Sequence, residues 1–390
     1  MKYIKLEEVC SIITDGTHQT PTYSTNGYVF LSSKNVTSGK IDWKNVKYID
    51  ENLHQELRKR VKPQKNDILL AKNGTTGVAA LVDKDDIFDI YVSLALLRPI
   101  DAIYPQYLLY VINSPQTKFQ FDKNLKGIGV KNLHLKEIRR ILIPIMPIDN
   151  QKKIVKILDK AQELIDKRKE QLESLDELVK SRFIEMFGDP IINSKNYDMV
   201  SLGKMSELIT KGASPNWQGI EYIEDDKQTL FVTSENVREG YLDFEKKKYL
   251  QDKFNEKQKR SVLKKGDFLI NIVGVSIGRA AQFNLDVKAN INQAVALVRL
   301  KKGFLNDKYL LTYLNSEKAL QMYSKMQVSV ARANLSLQNI NDLEIILPPI
   351  ELQNQFATFV NQVDKLKFEA QKSLTEMENN FNSLMQRAFK

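Results

Sequence analysis

LKEIRRILIPIMPIDNQKKI at 135–154 decides how this chain is built, because it returns as LQNINDLEIILPPIELQNQF at 337–356. Each stretch leads into an Ile/Leu-rich strand, then a proline, an acidic residue two positions on, a glutamine two further, and a long helix. Outward from there the matches continue. KNLHLKEI (131–138) pairs with ANLSLQNI (333–340), YLLYVINS (107–114) with YLLTYLNS (309–316), VKPQKNDILL (61–70) with LKKGDFLI (263–270), and SSKNV (32–36) with TSENV (233–237). The offset stays between 200 and 202 residues, so a whole folding unit is duplicated, not a solenoid module. A unit doubled within one chain makes a pseudo-dimer, which suits a target in two parts.

Each copy has two textures. Its first ~145 residues read as short strands with turn punctuation and a few short helices. Predicted strands are YVFLS (28–32), NDILLA (66–71), VAALV (78–82) and IYVSLALLR (90–98). Their counterparts are TLFVTS (229–234), GDFLINIV (266–273), RAAQFN (279–284) and QAVALVRL (293–300). Gly74, Gly77, Gly274 and Gly278 mark tight turns, and Tyr104–Ser114 and Asp307–Ser316 read as helices.

From Gln151 the apolar positions are Ile154, Leu158, Ala161 and Ile165, then Leu172, Leu175, Val179, Phe183 and Met186. This is the alternating 4–3 spacing of a coiled-coil seam, interrupted at Arg168. The second copy runs Phe356, Phe359, Val363, Leu366, Ala370, Leu374, Met377, Phe381, Leu384 and Ala388. Pro147 and Pro349 mark the helix entries, and Gly188 with Pro190 stops the first helix. Rods of about 37 residues extend on the order of 55 Å. An antiparallel pairing within the chain is the favoured arrangement, the rods acting as a ruler between domains; a parallel coil between two chains is the alternative. The expected fold class is α+β: mixed α/β, strand-rich domains at 1–148 and 189–350, separated by coiled-coil helices at 149–188 and 351–390 in a pseudo-twofold internal repeat.

Composition narrows the function. The 390 residues carry a net charge of +10, yet 151–187 holds nine basic against eight acidic residues and 351–390 holds five of each. The excess therefore sits on the strand-rich parts, pointing to a polyanion partner. One cysteine, Cys10, excludes a disulfide framework and suggests a reducing compartment. With no signal-peptide pattern at MKYIKLEEVC and no run of ~20 apolar residues, a cytoplasmic protein without a membrane partner is expected.

The sequence has no phosphate loop, dinucleotide turn or HExxH, and three scattered histidines (His18, His54, His134) with one cysteine leave no metal set. No catalytic residue is expected. The candidates for binding are polar, basic segments at strand ends: Thr17 and His18 in TDGTHQTP (14–21), Ser33, Lys34 and Asn35, then Lys72, Asn73, Thr75 and Thr76, then Lys126, Lys131 and Asn132. In the second copy they are Lys211 and Ser214 in TKGASP (210–215), Ser234 and Asn236, then Asn271, Ser276 and Arg279, then Arg332 and Asn334. Such groups bond phosphates or base edges; the same Ser and Asn types equally cap strand ends. The scaffold residues match between copies while the loops diverge: Lys34 against Glu235, Lys72 against Asn271, Lys131 against Ala333.

Taken together these features resemble the specificity (S) subunit of type I DNA restriction–modification systems, over the whole chain. The two stretches at 135–154 and 337–356 look like that family's domain ends. SSKNV with SGKI, KNDILLAKNGTTG (65–77) and GDFLINIVGVSIG (266–278) are similar to its target-recognition pattern, and FIEMFGDP (183–190) to its first helix end. Asp149, where Glu is usual, and MPI at 146–148, in place of a double proline, are small departures. The resemblance implies two target recognition domains, each reading half of a split site on double-stranded DNA, with the helices setting the spacer. It implies no cofactor in this chain. Two adenine-N6 methyltransferase (M) subunits would carry S-adenosylmethionine, and two restriction (R) subunits, where a system has them, would use ATP and Mg. Ile165, Leu172, Leu175, Leu366 and Leu374 are the residues expected to dock partner helices. A standalone DNA-binding protein, or a coiled-coil bridging protein without enzyme partners, is the alternative.

Overall fold

The structure, a computed structural model, describes residues 2–36, 39–124, 132–190, 192–326 and 334–390. It divides into two compact units, Met1–Glu170 with Gln371–Lys390, and Gln171–Ala370. Both follow one plan.

In the first unit a four-stranded antiparallel sheet has the order β2 (Cys10–Asp15), β8 (Leu94–Pro99), β5 (Ile68–Ala71), β6 (Ala79–Leu81). A second sheet orders β4 (Lys47–Ile49), β3 (Tyr28–Leu31) and β7 (Phe88–Ile90), with β3 and β7 parallel. β1 (Lys2–Lys5) pairs with β9 (Leu142–Ile145), just before the first long helix. The pleat explains the hydrophobic runs. Ile68, Leu70, Ala95 and Leu97 point to a core shared with the helix Pro105–Asn113, while Leu69, Leu94 and Leu96 point to the core between the two sheets. A strand covered on both faces is apolar at every position, not at alternate ones.

The second unit repeats the arrangement. Its sheets are β11 (Ser206–Lys211), β18 (Val295–Leu300), β15 (Phe268–Asn271), β16 (Ala280–Gln282), then β12 (Tyr222–Ile223), β14 (Tyr249–Leu250), β13 (Thr229–Val232), β17 (Ala289–Ile291), and the pair β10 (Asp198–Ser201) with β19 (Glu344–Leu347). The single strand expected over 90–98 is two strands. β7 ends at Ile90 in one sheet, β8 begins at Leu94 in the other, and Tyr91–Ser93 crosses between them.

The long helices span Ile148–Phe187 and Ile350–Ala388. In the first unit the start of one packs on the end of the other, with Val155 and Leu158 sharing a core with Met385 and Phe389, and Lys169 pairing Glu378 at 2.9 Å. In the second unit the order is the same: Lys367 pairs Asp176, and Phe183 packs on Phe356 at 5.5 Å. The helices are therefore an antiparallel pair, and the chain's last residues complete the first unit's core. Phe389 meets Tyr107 there at 5.6 Å as Phe187 meets Tyr309 at 4.7 Å in the second unit. Of the expected seam, Ile165, Leu374 and Ala370 are buried and Leu172 and Leu175 half-buried. Leu366 departs from the expectation: it is 59% exposed, because Val363 and Ala370 fill the interface on either side of it.

The glutamine of the opening motif locks each helix to its domain. Gln151 is fully buried; its Oε1 accepts from the Tyr104 amide (2.8 Å) and its Nε2 donates to the carbonyls of Met146 (2.9 Å) and Ala102 (3.1 Å). Gln353 repeats this with Asn306 (2.8 Å), Pro348 (2.9 Å) and Phe304 (3.5 Å). A buried amide with all these groups paired explains why glutamine stands at that position twice.

Candidate nucleic-acid interface

Strand register fixes where the polar loops emerge. β2 ends with Asp15 opposite Ala95, and β5 ends with Ala71 opposite Leu94. The loops after β2 and after β5 and the 91–93 crossing therefore leave from one edge of one sheet. The 32–36 turn joins them, since the Ser33 amide donates to Ser93 Oγ (2.9 Å) and Ser33 Oγ donates to Asn73 Oδ1 (3.4 Å). Asn132 bridges to Asn73, and the Leu133 amide donates to the Lys72 carbonyl at 2.8 Å. The second unit assembles the same edge. Lys211 lies opposite Ala296, Asn271 lies opposite Val295, Asn334 bridges to Val273, and the Leu335 amide donates to the Ile272 carbonyl at 2.8 Å. All four candidate segments of each copy thus meet at one sheet edge. Lys126, Lys131 and Arg332 lie outside the described residues.

The register also corrects one pairing of the copies. Ala71, not Lys72, occupies the position of Asn271, and Lys72 corresponds to Ile272, because the loop of the second unit is one residue longer before its closing glycine. Lys72 and Ile272 both point inward. Ile272 ends in apolar core, whereas Lys72 Nζ meets Asp15 Oδ2 at 2.5 Å and Arg60 reaches Asp15 Oδ1 at 2.7 Å. At the position of Asp15 the second unit has Lys211, which is exposed. The buried ion pair of one copy is an apolar contact plus a free-standing surface cation in the other.

The candidates separate by orientation. Asn35 and Asn236 are buried and staple their own turns. Asn35 Oδ1 accepts from Ser32 N (2.9 Å) and Oγ (3.3 Å), and its Nδ2 donates to the Asn45 carbonyl (3.0 Å). Asn236 does the same with Thr233 N (2.9 Å) and Oγ1 (3.1 Å) and with the Asp243 carbonyl (2.9 Å). Asn271, fully buried, donates to the Ser234 carbonyl (3.0 Å) and Ser276 Oγ (3.1 Å). These three amides, with Lys72, face inward. Thr17, Ser33, Asn73, Thr76, Asn132, Ser214, Ser234, Ser276 and Arg279 are half-buried, Arg279 standing 3.6 Å from Glu239. His18, Lys34, Thr75, Lys211 and Asn334 are exposed.

Charge differs between the edges. Glu235, at the position of Lys34, is held below the usual carboxylate range by Lys248 at 2.8 Å. Backbone shape is shared: a Cβ on Gly16 or Gly212 would sit 1.8 Å from the carbonyl oxygen of Ile90 or Ile291, so only glycine admits the crossing strand. Two aromatic residues at these edges escaped the sequence reading. Tyr23 stacks under Lys47 Nζ at 3.8 Å, and Trp217 is 91% exposed. The signal was a Pro-x-aromatic after each first loop, Pro21-Thr22-Tyr23 and Pro215-Asn216-Trp217. Among the described residues no three His, Cys, Asp or Glu side chains are grouped to hold a metal, and no helix is long and apolar enough to cross a membrane.

A family model described as the type I restriction modification DNA specificity domain matches residues 1–175 and again 194–378. The type I restriction enzyme MjaVIII specificity subunit of Methanocaldococcus jannaschii is 24% identical over 79% of this chain and 74% of its own. The EcoKI specificity subunit of Escherichia coli K12 is 21% identical over 92% and 81%. Among solved structures, a chain described in terms of the assembly and conformational transition of the type I R-M system superposes with a TM-score of 0.62 at 18% identity, over 100% of this chain and 97% of that one. The S subunit from M. genitalium gives 0.52 at 13%, over 100% and 96%. The chain belongs to the DNA specificity subunits of type I restriction–modification systems, the non-catalytic members of those enzymes.

Proposed function

We propose that this specificity subunit reads a two-part, asymmetric site on duplex DNA, one part with each sheet edge, and holds two methyltransferase subunits that modify adenine there. One observation carries the reading. The two copies gather the same four segments at the same edge, yet the residues presented there differ in charge, size and hydrogen bonding. Outward cations such as Lys34 and Lys211 bond phosphates and fix the register, while the neighbouring polar and β-branched side chains meet base edges. Asn35, Asn236, Asn271 and Lys72 serve as scaffold beneath them. The chain needs no cofactor of its own; S-adenosylmethionine, and ATP with Mg where restriction subunits join, belong to the partners.

For the methyltransferase contacts, the buried seam residues Ile165 and Leu374 hold the helices together, and exposed apolar side chains are left to meet a partner. These are Ile157 and Leu164, one heptad apart in the first unit, and Leu366 and Phe368 in the second. Co-expression with a methyltransferase subunit of a type I system tests both parts. The expected product is one copy of this chain with two methyltransferase subunits, and L366D/F368D weakens that complex while the chain stays folded. Recovery of a chain that binds duplex DNA tightly without taking up methyltransferase would favour the standalone reading.

A further inference from the structure

We propose that Val275 is a base-reading residue of the second unit, recognising the 5-methyl group of a thymine in the major groove. This rests on the reading of that sheet edge as a DNA surface. Val275 is 109% exposed, so its isopropyl group packs on none of the described residues. Burying a valine side chain stabilises a protein, and leaving one fully in water at a loop tip serves no folding purpose.

The exposure is not slackness. The loop is closed by the Gly278 amide on the Asn271 carbonyl (2.9 Å) and by the Ile277 amide on the Gly274 carbonyl (3.2 Å). Beneath it Ile272 is buried and the Asn271 side chain ties it to the 233–237 turn. Gly274, at φ +82° with no atom of the described residues within 4 Å of where its Cβ would be, turns the backbone so that the next residue stands at the tip. Gly74, at φ +74°, makes the same turn in the first unit and presents Thr75. Both tips are β-branched and therefore stiff about χ1, so a methyl group is held in place before any partner arrives. Thr75 adds a hydroxyl, whereas Val275 offers methyls alone. Among base edges the one apolar feature is the thymine methyl. Valine is also shorter than the Phe, Leu, Ile or Met wedges that unstack base steps, which favours edge contact over insertion.

The test is a chemical double-mutant cycle on the full chain with its methyltransferase subunits, using its own mapped site and duplexes in which each thymine of the second half-site is replaced in turn by uracil. At one position, wild type is expected to lose about four-fold in affinity, the factor that 0.8 kcal/mol for one buried methyl gives. V275A is expected to lose a similar factor on the thymine duplex and to be indifferent to uracil there. Val275 has no contacts to break, so the variant tests recognition and not folding. If no uracil position distinguishes wild type from V275A, the proposal fails. It fails equally if V275A weakens every duplex alike, which would mark a wedge or a general contact. Wild type serves as the separate control: no preference for the two-part site at all would sink the broader reading, whereas tight wild-type binding with a flat cycle sinks only the role of Val275.

Discussion

Replacing Lys72 by methionine separates scaffold from reader in the first unit. Lys72 and Asp15 form an ion pair whose side chains are 7% and 4% exposed, at 2.5 Å. Removing one partner of a buried pair costs about 3–5 kcal/mol, because the other charge is left without compensation. Here Asp15 keeps Arg60 at 2.7 Å, but that guanidinium is half in water and its charge is screened. Because Arg60 still compensates part of the Asp15 charge, the expected loss falls just below that range, about 2–3 kcal/mol. With a urea slope of roughly 2–3 kcal/mol per M, the midpoint should fall by about 1 M. D15N/K72M, which removes both charges, should recover most of it. Cys10 provides the assay for this unit alone. It is the only cysteine of the chain and lies in the first unit's core, and burial pushes its thiol up to about 12. Only the thiolate reacts, so alkylation should report unfolding and little else. The DNA salt slope of K72M should match wild type, since an inward lysine releases no counterion. A K72M chain as stable as wild type, with a salt slope lower by about one, would show that Lys72 reaches phosphate and would refute the scaffold assignment.

Three further outcomes are expected. Gln353→Leu strands the Asn306 amide and the Pro348 carbonyl at the start of the second long helix, and should cost about 2–3 kcal/mol by urea unfolding followed by circular dichroism. His54 and Asp89 form a buried pair at 2.6 Å where the second unit has Asn255 and Asn290 at 2.8 Å, so only the first unit places ionisable side chains there. Burial raises the Asp89 carboxyl against the opposing pull of His54 and Arg58; the folded state holds its proton more tightly than the unfolded one. That contribution is complete below the unfolded value near ~4 and is lost as pH rises through the folded value. The urea midpoint of wild type, followed by circular dichroism, should therefore decline relative to H54N/D89N as pH rises from about 4, and a constant difference would contradict the sign. Ile165→Asp should destabilise the helix pair as strongly as a core substitution, whereas Leu366→Asp should leave the unfolding free energy within ~0.5 kcal/mol of wild type.

Much of this architecture is visible in the residues themselves. The repeat, most of the strands and the two helices are read from repetition and periodicity, and the glutamine after each proline finds its explanation in buried hydrogen bonds. What stayed hidden was set at long range. β1 is four residues, three of them exposed, that pair with a strand about 140 positions away. The crossing at Tyr91–Ser93 joins two sheets within one apolar run, so no polarity change marks it. Lys72 reads as a surface cation until Asp15, 57 residues earlier, is placed beside it. Matching Lys72 to Asn271 aligned polar with polar, while the hydrogen-bond register aligned inward with inward. The loop residues at the edges were locatable as a class, but whether each faced in or out depended on neighbours from three other segments.

The central claim is that each unit reads its own half of the site. Mapping N6-methyladenine across a genome, in cells carrying this chain with its methyltransferase, tests it most directly when residues 1–147 are exchanged for the first unit of a relative with a different target. The account predicts a two-part motif in which the exchange changes one part and leaves the other intact. A single contiguous motif, or a change in both parts at once, would contradict it.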